Sequence, residues 1–440
     1  MPNSIPERLS ALDASFLAVE SPLAPMHVGW VASFDPPADG PATAEDLIAH
    51  IAARMEHAHR YRQKLADVPL GIHDPVWVDD PDFDPARHLH VAEGDVVDDV
   101  LSTPLPRDRP LWEMWISGDP PTIVGKAHHC MVDGLAVVEL GNLLLDADPD
   151  AADREESEWA PSPEPTPGQR LGRAIADRIG ETAGLLATPL RLATNVRALP
   201  GTARMVGHTL LPPAPQSPLN VHGSGRRHHT RVTRTLNEVR RIRRAFGVTP
   251  NDVVLAACAG ALHTFLEEPM ALKVMVPADV RSADDSSASG NRISFVFLEL
   301  PTGEPDPLER LQAVHRATDQ RRRDEEAERL DNAFNVLALT PRPLQRTLAH
   351  AFAHPRLYNL TISSVPGPAV TRYLRGCRLR TVHSAVPLSA HHGLSVGVVT
   401  VAGNACFGIY SDPATVPDAD ELARHLDAAF DELLDLAADA

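Results

Sequence analysis

The stretch GKAHHCMVDGLAVVEL, residues 125–140, joins the end of one apolar segment to the start of another. Residues 122–129, TIVGKAHH, have the composition of a buried strand, and residues 134–146, GLAVVELGNLLLD, would be apolar on almost all sides of a helix. The stretch therefore predicts a strand, a short turn and a helix. His128, His129 and Asp133 lie where the strand is expected to end and the helix to begin.

The two adjacent histidines are expected to face opposite ways, because side chains alternate across a strand. Only one of them can then face a given cavity, which argues against a metal held by the pair, and no H-E-x-x-H spacing supplies further ligands. Asp133 can fix the tautomer of His129 or hold the turn that presents its ring, and Gly134 allows a close backbone approach. The alternative is a structural histidine beside a helix-capping aspartate.

Strand-like and helix-like segments interleave on both sides of this stretch, which predicts an α/β architecture with two sheets. Further strands are expected at 27–35, 75–80, 229–236, 271–281, 292–300, 359–365, 394–403 and 405–412. Further helices are expected at 44–61 with Thr43 as a cap, 237–247 ending at Gly247, 251–268 with Asn251 as a cap, and 418–440.

The composition bounds the class of protein. The chain has 440 residues, 43% of them hydrophobic and 23% charged, which is typical of a globular protein of about two domains. A net charge of −18 argues against nucleic acid as a partner. The N-terminal residues do not resemble a secretory signal, and the longest uncharged apolar run, 253–266, is too short for a bilayer span. We therefore expect a cytoplasmic protein, with contact to a membrane surface or lipid inclusion left open.

The middle of the chain differs from both flanks. Residues 146–168 are acidic and rich in proline, which predicts an exposed linker. Residues 170–204 carry six arginines against Asp177 and Glu181 and predict a basic amphipathic helix. Its arginines either meet anionic headgroups while Leu185, Leu186, Leu190 and Leu192 insert, or the helix simply packs across two domains.

Several motifs together carry a family resemblance. HHCMVDG, residues 128–134, matches the H-H-x-x-x-D-G motif of acyltransferases related to chloramphenicol acetyltransferase. Further motifs occur in the same order as in the bacterial wax ester synthase/diacylglycerol acyltransferases, and this sequence resembles that family. The resemblance covers nearly the whole chain, is weakest over 147–225, and depends on the segments 9–29, 109–116, 128–134, 251–262, 276–282, 290–301 and 364–368.

The resemblance implies a fold of two chloramphenicol-acetyltransferase-like domains, each a mixed sheet with flanking helices. The expected divisions are an N-terminal domain at 1–146 that carries the motif, a linker and crossover region at 147–225, and a C-terminal domain at 226–440. The active-site tunnel would lie between the domains, with CoA and the acceptor entering from opposite mouths.

The resemblance also implies residue roles. His129 would be the general base, which takes the proton of an alcohol that attacks the thioester carbonyl of an acyl-CoA. His128 and Gly134 would support the turn. Asp133 would be structural, and we expect it to form an ion pair with Arg281 that links the two halves, because a buried carboxylate without a partner is costly.

Asn251 has two alternative roles, as a helix cap or as a donor to the developing oxyanion. Trp112, in the PLW segment, is expected to pack the first domain. Two departures concern the second half of the chain. Ser363 and Ser364 stand where the family often carries Thr-Asn, and the pair at His391 and His392 lacks a following aspartate, so it is expected to be a loop pair.

The function implied is transfer of a long acyl group from acyl-CoA to a fatty alcohol or diacylglycerol. Acyl-CoA is then a substrate, the acceptor is a lipid alcohol, and neither a metal nor another cofactor is implied. The alternatives are an enzyme of the same superfamily with another alcohol or amine acceptor, for example a polyketide, and a catalytically weak lipid-body protein.

Overall fold

The computed structural model describes residues 7–37, 40, 42–117, 120–132, 134–151, 159–194, 212–279, 293–323 and 342–439. Within them the strands are β1 Glu7–Arg8, β2 His27–Asp35, β3 Gln63–Ala66, β4 Val76–Asp79, β5 Leu89–Ala92, β6 Trp112–Ser117, β7 Thr122–His128, β8 His228–Thr235, β9 Leu272–Asp279, β10 Ile293–Leu300, β11 Leu360–Pro366, β12 Tyr373–Leu374, β13 Cys377–Ala385, β14 Leu394–Val401 and β15 Asn404–Ser411. The helices are α1 Ala11–Val19, α2 Ala44–Met55, α3 Val97–Ser102, α4 Gly134–Leu144, α5 Pro167–Thr194, α6 Leu236–Phe246, α7 Pro250–Phe265, α8 Pro307–Arg323, α9 Arg342–Phe352 and α10 Ala419–Leu436.

Two six-stranded sheets form the framework. The first has the order β12-β13-β2-β7-β6-β5, and the second has the order β10-β9-β11-β14-β15-β8. Each is mixed: β5 runs parallel to β6 in the first sheet, and β11 runs parallel to β9 and β14 in the second. A small sheet of order β1-β4-β3 lies apart from both. The predicted α/β architecture with two mixed sheets is confirmed.

One strand crosses between the two halves of the chain. β13 pairs antiparallel with β2, from Arg378 opposite Asp35 to Ala385 opposite Gly29, and so belongs to the first sheet although it lies late in the sequence. The expected division into 1–146 and 226–440 therefore does not separate the sheets. The physical reason is that β7 pairs with only one edge of β2. The other edge of β2 is paired with β13, a strand from late in the chain.

Local signals account for most helix ends. Thr43 caps α2 as predicted, and Gly247 ends α6 in the left-handed conformation at φ 69°. The expected cap at Asn251 is wrong. Thr249 is the cap of α7 and forms a capping box with Asp252, because Pro250 occupies the first helical position, where its missing N–H costs nothing.

Helix α7 forms the core of the second half. Every residue of α7 from Val253 to Leu262 is buried, together with side chains from one face of the second sheet and from α10. In β11 this buried face carries Leu360 and Ile362. Since side chains alternate, Thr361 and Ser363 point to the opposite face, towards the first half of the protein.

The first half has a separate core, and Trp112 packs there as predicted. Its side chain is fully buried, its Nε1–H donates to the carbonyl of Tyr61 at 2.7 Å, and its ring stacks on His88. The four cysteines, Cys130, Cys258, Cys377 and Cys406, are buried and unpaired with one another. Among the described residues, no single helix is long and apolar enough to cross a membrane. Helices α6 and α7 meet that length and hydropathy only when they are taken together, and the chain bends by 99° between them.

Candidate active site

The turn after β7 presents His129 to a cavity. The backbone N–H of His129 donates to the carbonyl of Met26 at 2.8 Å, which ties the turn to the start of β2. The next three residues, Cys130, Met131 and Val132, are buried in the core of the first half. Their burial holds the backbone on one side and leaves the half-buried His129 side chain on the cavity wall.

His128 points the opposite way, as strand alternation predicts. It is only 1% exposed, and its Nδ1 accepts the backbone N–H of Cys130 at 3.1 Å. Nε2 therefore carries the proton and donates to a carboxylate oxygen of Glu20 at 3.2 Å. Glu20 is also paired with Arg107. Burial, with the nearby Arg107, lowers the pKa of His128 to about 3, so its ring is neutral at physiological pH.

The His129 ring lies flat against Phe16 of α1. The two ring centroids are 3.9 Å apart and the ring planes differ by 7°. A stacked aromatic neighbour restricts rotation of the imidazole and holds its edge in one direction. Helix α1 is fixed in turn by a capping box between Ser10 and Asp13.

The cavity has a volume of about 470 Å³, within the range of small-molecule sites. Its walls come from α1, β2, α4, β11, β13 and α9, so both sheets contribute. Among its described lining residues only His129 and Tyr358 carry titratable side chains, and most of the others are aliphatic or aromatic. Such a cavity suits a long hydrocarbon chain with a reacting group at the imidazole.

Other residues singled out in the sequence fall in different places. Asp133 and Arg281 lie outside the described residues, so their ion pair stays a prediction. Gly134 begins α4. Asn251 lies in the first turn of α7 and is not among the described residues that line the cavity, which gives no support to an oxyanion role.

The serine pair and the second histidine pair, both noted in the second half of the sequence, lie in different places. Ser363 and Ser364 line the cavity, whereas His391 and His392 are not among its described lining residues. His392 is buried, and its Nε2 lies 3.1 Å from the carbonyl of Tyr358. The second histidine pair is therefore part of a loop that supports the cavity wall from behind.

Sequence reasoning did not identify Phe16, Glu20 or Tyr358 as site residues. Phe16 and Glu20 lie in the segment 9–29 that carries part of the family resemblance, so a signal was present there. Tyr358 lies two residues before β11 and lines the cavity, a position that depends on the placement of β11 between β9 and β14.

Comparisons with known proteins identify the family of the chain. The model of the wax ester synthase/diacylglycerol acyltransferase catalytic domain matches residues 9–254, and that of the WS/DGAT C-terminal domain matches residues 289–434. The chain belongs to the wax ester synthase/diacylglycerol acyltransferase family. A Mycobacterium tuberculosis protein described as a candidate diacylglycerol O-acyltransferase is 32% identical, over 98% of this chain and 91% of that protein.

Solved structures confirm the fold. The wax ester synthase/diacylglycerol acyltransferase of Marinobacter aquaeolei VT8 superposes with a TM-score of 0.70 at 23% identity, covering 98% of this chain and all of that one. A starter condensation domain of rhizomide synthetase, solved with C8-CoA, superposes with a TM-score of 0.57 at 15% identity, covering 99% and 95%. The fold therefore agrees with the family that the catalytic-domain model and the Mycobacterium tuberculosis relative show.

Proposed function

We propose that this protein transfers a long acyl group from acyl-CoA to the hydroxyl of diacylglycerol or a fatty alcohol, with His129 as the general base. The observation that carries this proposal is the position of His129, which is the one imidazole among the described residues lining an apolar cavity of about 470 Å³. Family membership supports the reaction class.

The proposed step needs one proton acceptor. The acceptor hydroxyl loses its proton to a ring nitrogen of His129 while its oxygen attacks the thioester carbonyl carbon. The carbon–sulfur bond of the resulting tetrahedral intermediate then breaks, and the imidazolium returns the proton to the departing CoA sulfur. Both bond changes are heterolytic, so the reaction calls for no redox cofactor. Phe16 holds the ring while the proton moves in each direction.

Release of CoA tests the proposal and separates it from its alternatives. Palmitoyl-CoA is incubated with the protein alone, with hexadecanol, and with dioleoylglycerol, and both free CoA and lipid products are measured. We expect acceptor-dependent CoA release with wax ester or triacylglycerol as product. Transfer only to other alcohols or amines would indicate a different acceptor class, and no transfer at all would indicate a lipid-body protein.

We further propose that α5 brings the enzyme to an anionic lipid surface. Ala174 is buried against the small sheet, and Arg178 Nε donates to the carbonyl of Ile72 at 2.9 Å, so one side of the helix is docked on the protein. On the other side Ile175 is 47% exposed and Ile179 is 66% exposed. Ile175 and Ile179 are one turn apart on the same helix face, and exposed isoleucines of this kind suit insertion at the boundary between headgroups and acyl chains.

The neighbouring turn supports the same surface. α5 packs against the turn Pro69–Gly71, where Leu70 is 86% exposed. Arg173, two residues before Ile175, is also exposed. Lipid substrates are insoluble, so an enzyme that takes them benefits from such a contact.

Flotation with vesicles tests the surface proposal. Ile175→Gln with Ile179→Gln is expected to reduce binding to vesicles that contain phosphatidylglycerol, while Val91→Gln is not. Val91 is 52% exposed on β5 and serves as the matched control. Unchanged flotation of the double variant would contradict a role for α5.

A further inference from the structure

The two sides of the cavity differ in their chemistry. The side formed by α1, β2 and α4 is almost wholly apolar, with Leu12, Phe16, Val28, Trp30 and Leu144 among its residues. The side formed by β11, the end of β13 and their flanking loops carries hydroxyl groups from Tyr358, Thr361, Ser363, Ser384 and Ser389.

Two of these hydroxyl-bearing residues are neighbours in space. Ser363 of β11 pairs in register with Gly397 of β14. A Cβ atom at Gly397 would lie only 2.2 Å from Ser384 Oγ, so the serine hydroxyl of β13 occupies the space above this glycine. Because adjacent strands are about 4.8 Å apart, Ser363 and Ser384 lie side by side. Both are half-buried and both line the cavity.

The hydrogen bonding of this pair distinguishes it from the other hydroxyls. Tyr358 Oη and Ser389 Oγ are 2.9 Å apart and bond to each other. Ser15, on the apolar side, donates to the carbonyl of Leu12 at 2.6 Å. Within the part of the chain that the structure describes, the hydroxyls of Ser363 and Ser384 have no hydrogen-bond partner, which leaves both available there to a ligand.

A pair of free hydroxyls discriminates between acceptors. A saturated hydrocarbon chain bound over these hydroxyls would displace their water without forming hydrogen bonds to them. The loss lowers the affinity for that chain roughly tenfold for each hydroxyl. A fatty alcohol has one polar group, and that group reacts at His129. A diacylglycerol has two ester carbonyls as well, and each can accept a hydrogen bond from a serine hydroxyl.

The surroundings favour the acceptor over the pantetheine arm of CoA, which also carries amides. No Lys or Arg is among the described residues that line this cavity, although CoA phosphates attract cations. From Ser363 the chain runs outward through Pro366 to Val370, which is 58% exposed, and Leu344 of α9 is 46% exposed. Val370 and Leu344 are close in sequence to the lining residues Pro368 and Gln345, and exposed apolar side chains at these positions suit a lipid.

We infer that Ser363 and Ser384 select the acceptor by donating hydrogen bonds to the ester carbonyls of a diacylglycerol, in preference to a simple fatty alcohol. The inference rests on the proposed acyl transfer and assigns the acceptor preference to two named hydroxyls. Gly397 contributes indirectly, because any side chain there would displace Ser384.

The test compares acceptors in the full-length protein. With palmitoyl-CoA saturating, kcat/KM is measured for dioleoylglycerol and for hexadecanol in the wild type, in Ser363→Ala with Ser384→Ala, and in Ser15→Ala. We expect the dioleoylglycerol-to-hexadecanol ratio to fall at least tenfold in the double variant, with hexadecanol transfer retained. Ser15→Ala, whose hydroxyl is already bonded to backbone, should leave the ratio unchanged.

Each contrary outcome has a distinct meaning. An unchanged ratio in the double variant overturns the inference, as does an equal loss of kcat/KM on both acceptors in that variant. In a second series, with dioleoylglycerol saturating and palmitoyl-CoA varied, a rise confined to the KM for palmitoyl-CoA also overturns it and assigns the hydroxyls to pantetheine. Absence of transfer by the wild type to any acceptor would instead reject the proposed function.

Discussion

The imidazole of His129 lies parallel to the phenyl ring of Phe16, with centroids 3.9 Å apart. These residues are far apart in sequence, and the contact joins the first helix to the turn after β7. The ring of a general base must hold one direction through two proton transfers, and the stack supplies that restraint. If His129 acts as proposed, helix α1 contributes to catalysis through this stack as well as to the cavity wall.

Replacement of Phe16 should impair turnover. Phe16→Leu keeps an apolar side chain but removes the flat surface, so the imidazole can rotate away from the acceptor hydroxyl. We expect kcat to fall about 10- to 100-fold, the effect of small misplacements of reacting groups. Leu12→Ala, on the same helix and the same cavity wall, should change KM more than kcat. Equal kcat effects in the two variants would contradict an orienting role for the stack.

Removal of the Glu20 carboxylate should destabilise the turn. Glu20 accepts the Nε2–H of buried His128 and pairs with Arg107, so Glu20→Ala leaves a buried donor without a partner. Such a loss costs about 1–3 kcal/mol, and urea unfolding of the variant measures it. Activity should fall as well, because His128 also holds the backbone of Cys130. Unchanged stability would show that water replaces the carboxylate.

Buried histidines should make the protein sensitive to mild acid. Burial is the main cause that lowers the pKa values of His27, His128 and His229 to about 3. Between about pH 6.5 and 3 the unfolded chain binds protons that the folded protein does not. Stability is therefore complete above pH 6.5 and falls as the pH drops, by about 1.4 kcal/mol per pH unit for each histidine.

Unfolding by urea at pH 7, 6 and 5 measures this slope. His229→Gln should reduce the pH dependence of the free energy of unfolding by about one proton. A free energy of unfolding that stays constant from pH 7 to pH 5 would contradict neutral burial of these rings.

The site residues that could be predicted from sequence depend on short-range rules. Strand alternation alone separates His128 from His129, and the structure places them on opposite sides. Cap chemistry located Thr43 and Gly247. At α7 the sequence also contained a signal for the correct cap. Proline prefers the first helical position, so Pro250 with Thr249 before it predicts Thr249 as the cap in place of Asn251.

The remaining features depend on long-range packing. Nothing local in Cys377–Ala385 indicates that β13 joins β2 rather than a neighbour in sequence, because strand pairing is decided by which edge is free. The neighbouring positions of Ser363 and Ser384 follow from that crossover and from Gly397, so they become visible only in three dimensions.

Steady-state acyl transfer by His129→Ala tests the central claim most directly. With palmitoyl-CoA and dioleoylglycerol we expect the variant to lose about two to four decades in kcat, the usual contribution of a general base. His391→Asn is the control, since His391 has a φ of 65° that asparagine accepts and is not among the described residues that line the cavity. It should retain wild-type activity. Undiminished transfer by a folded His129→Ala variant would contradict the mechanism.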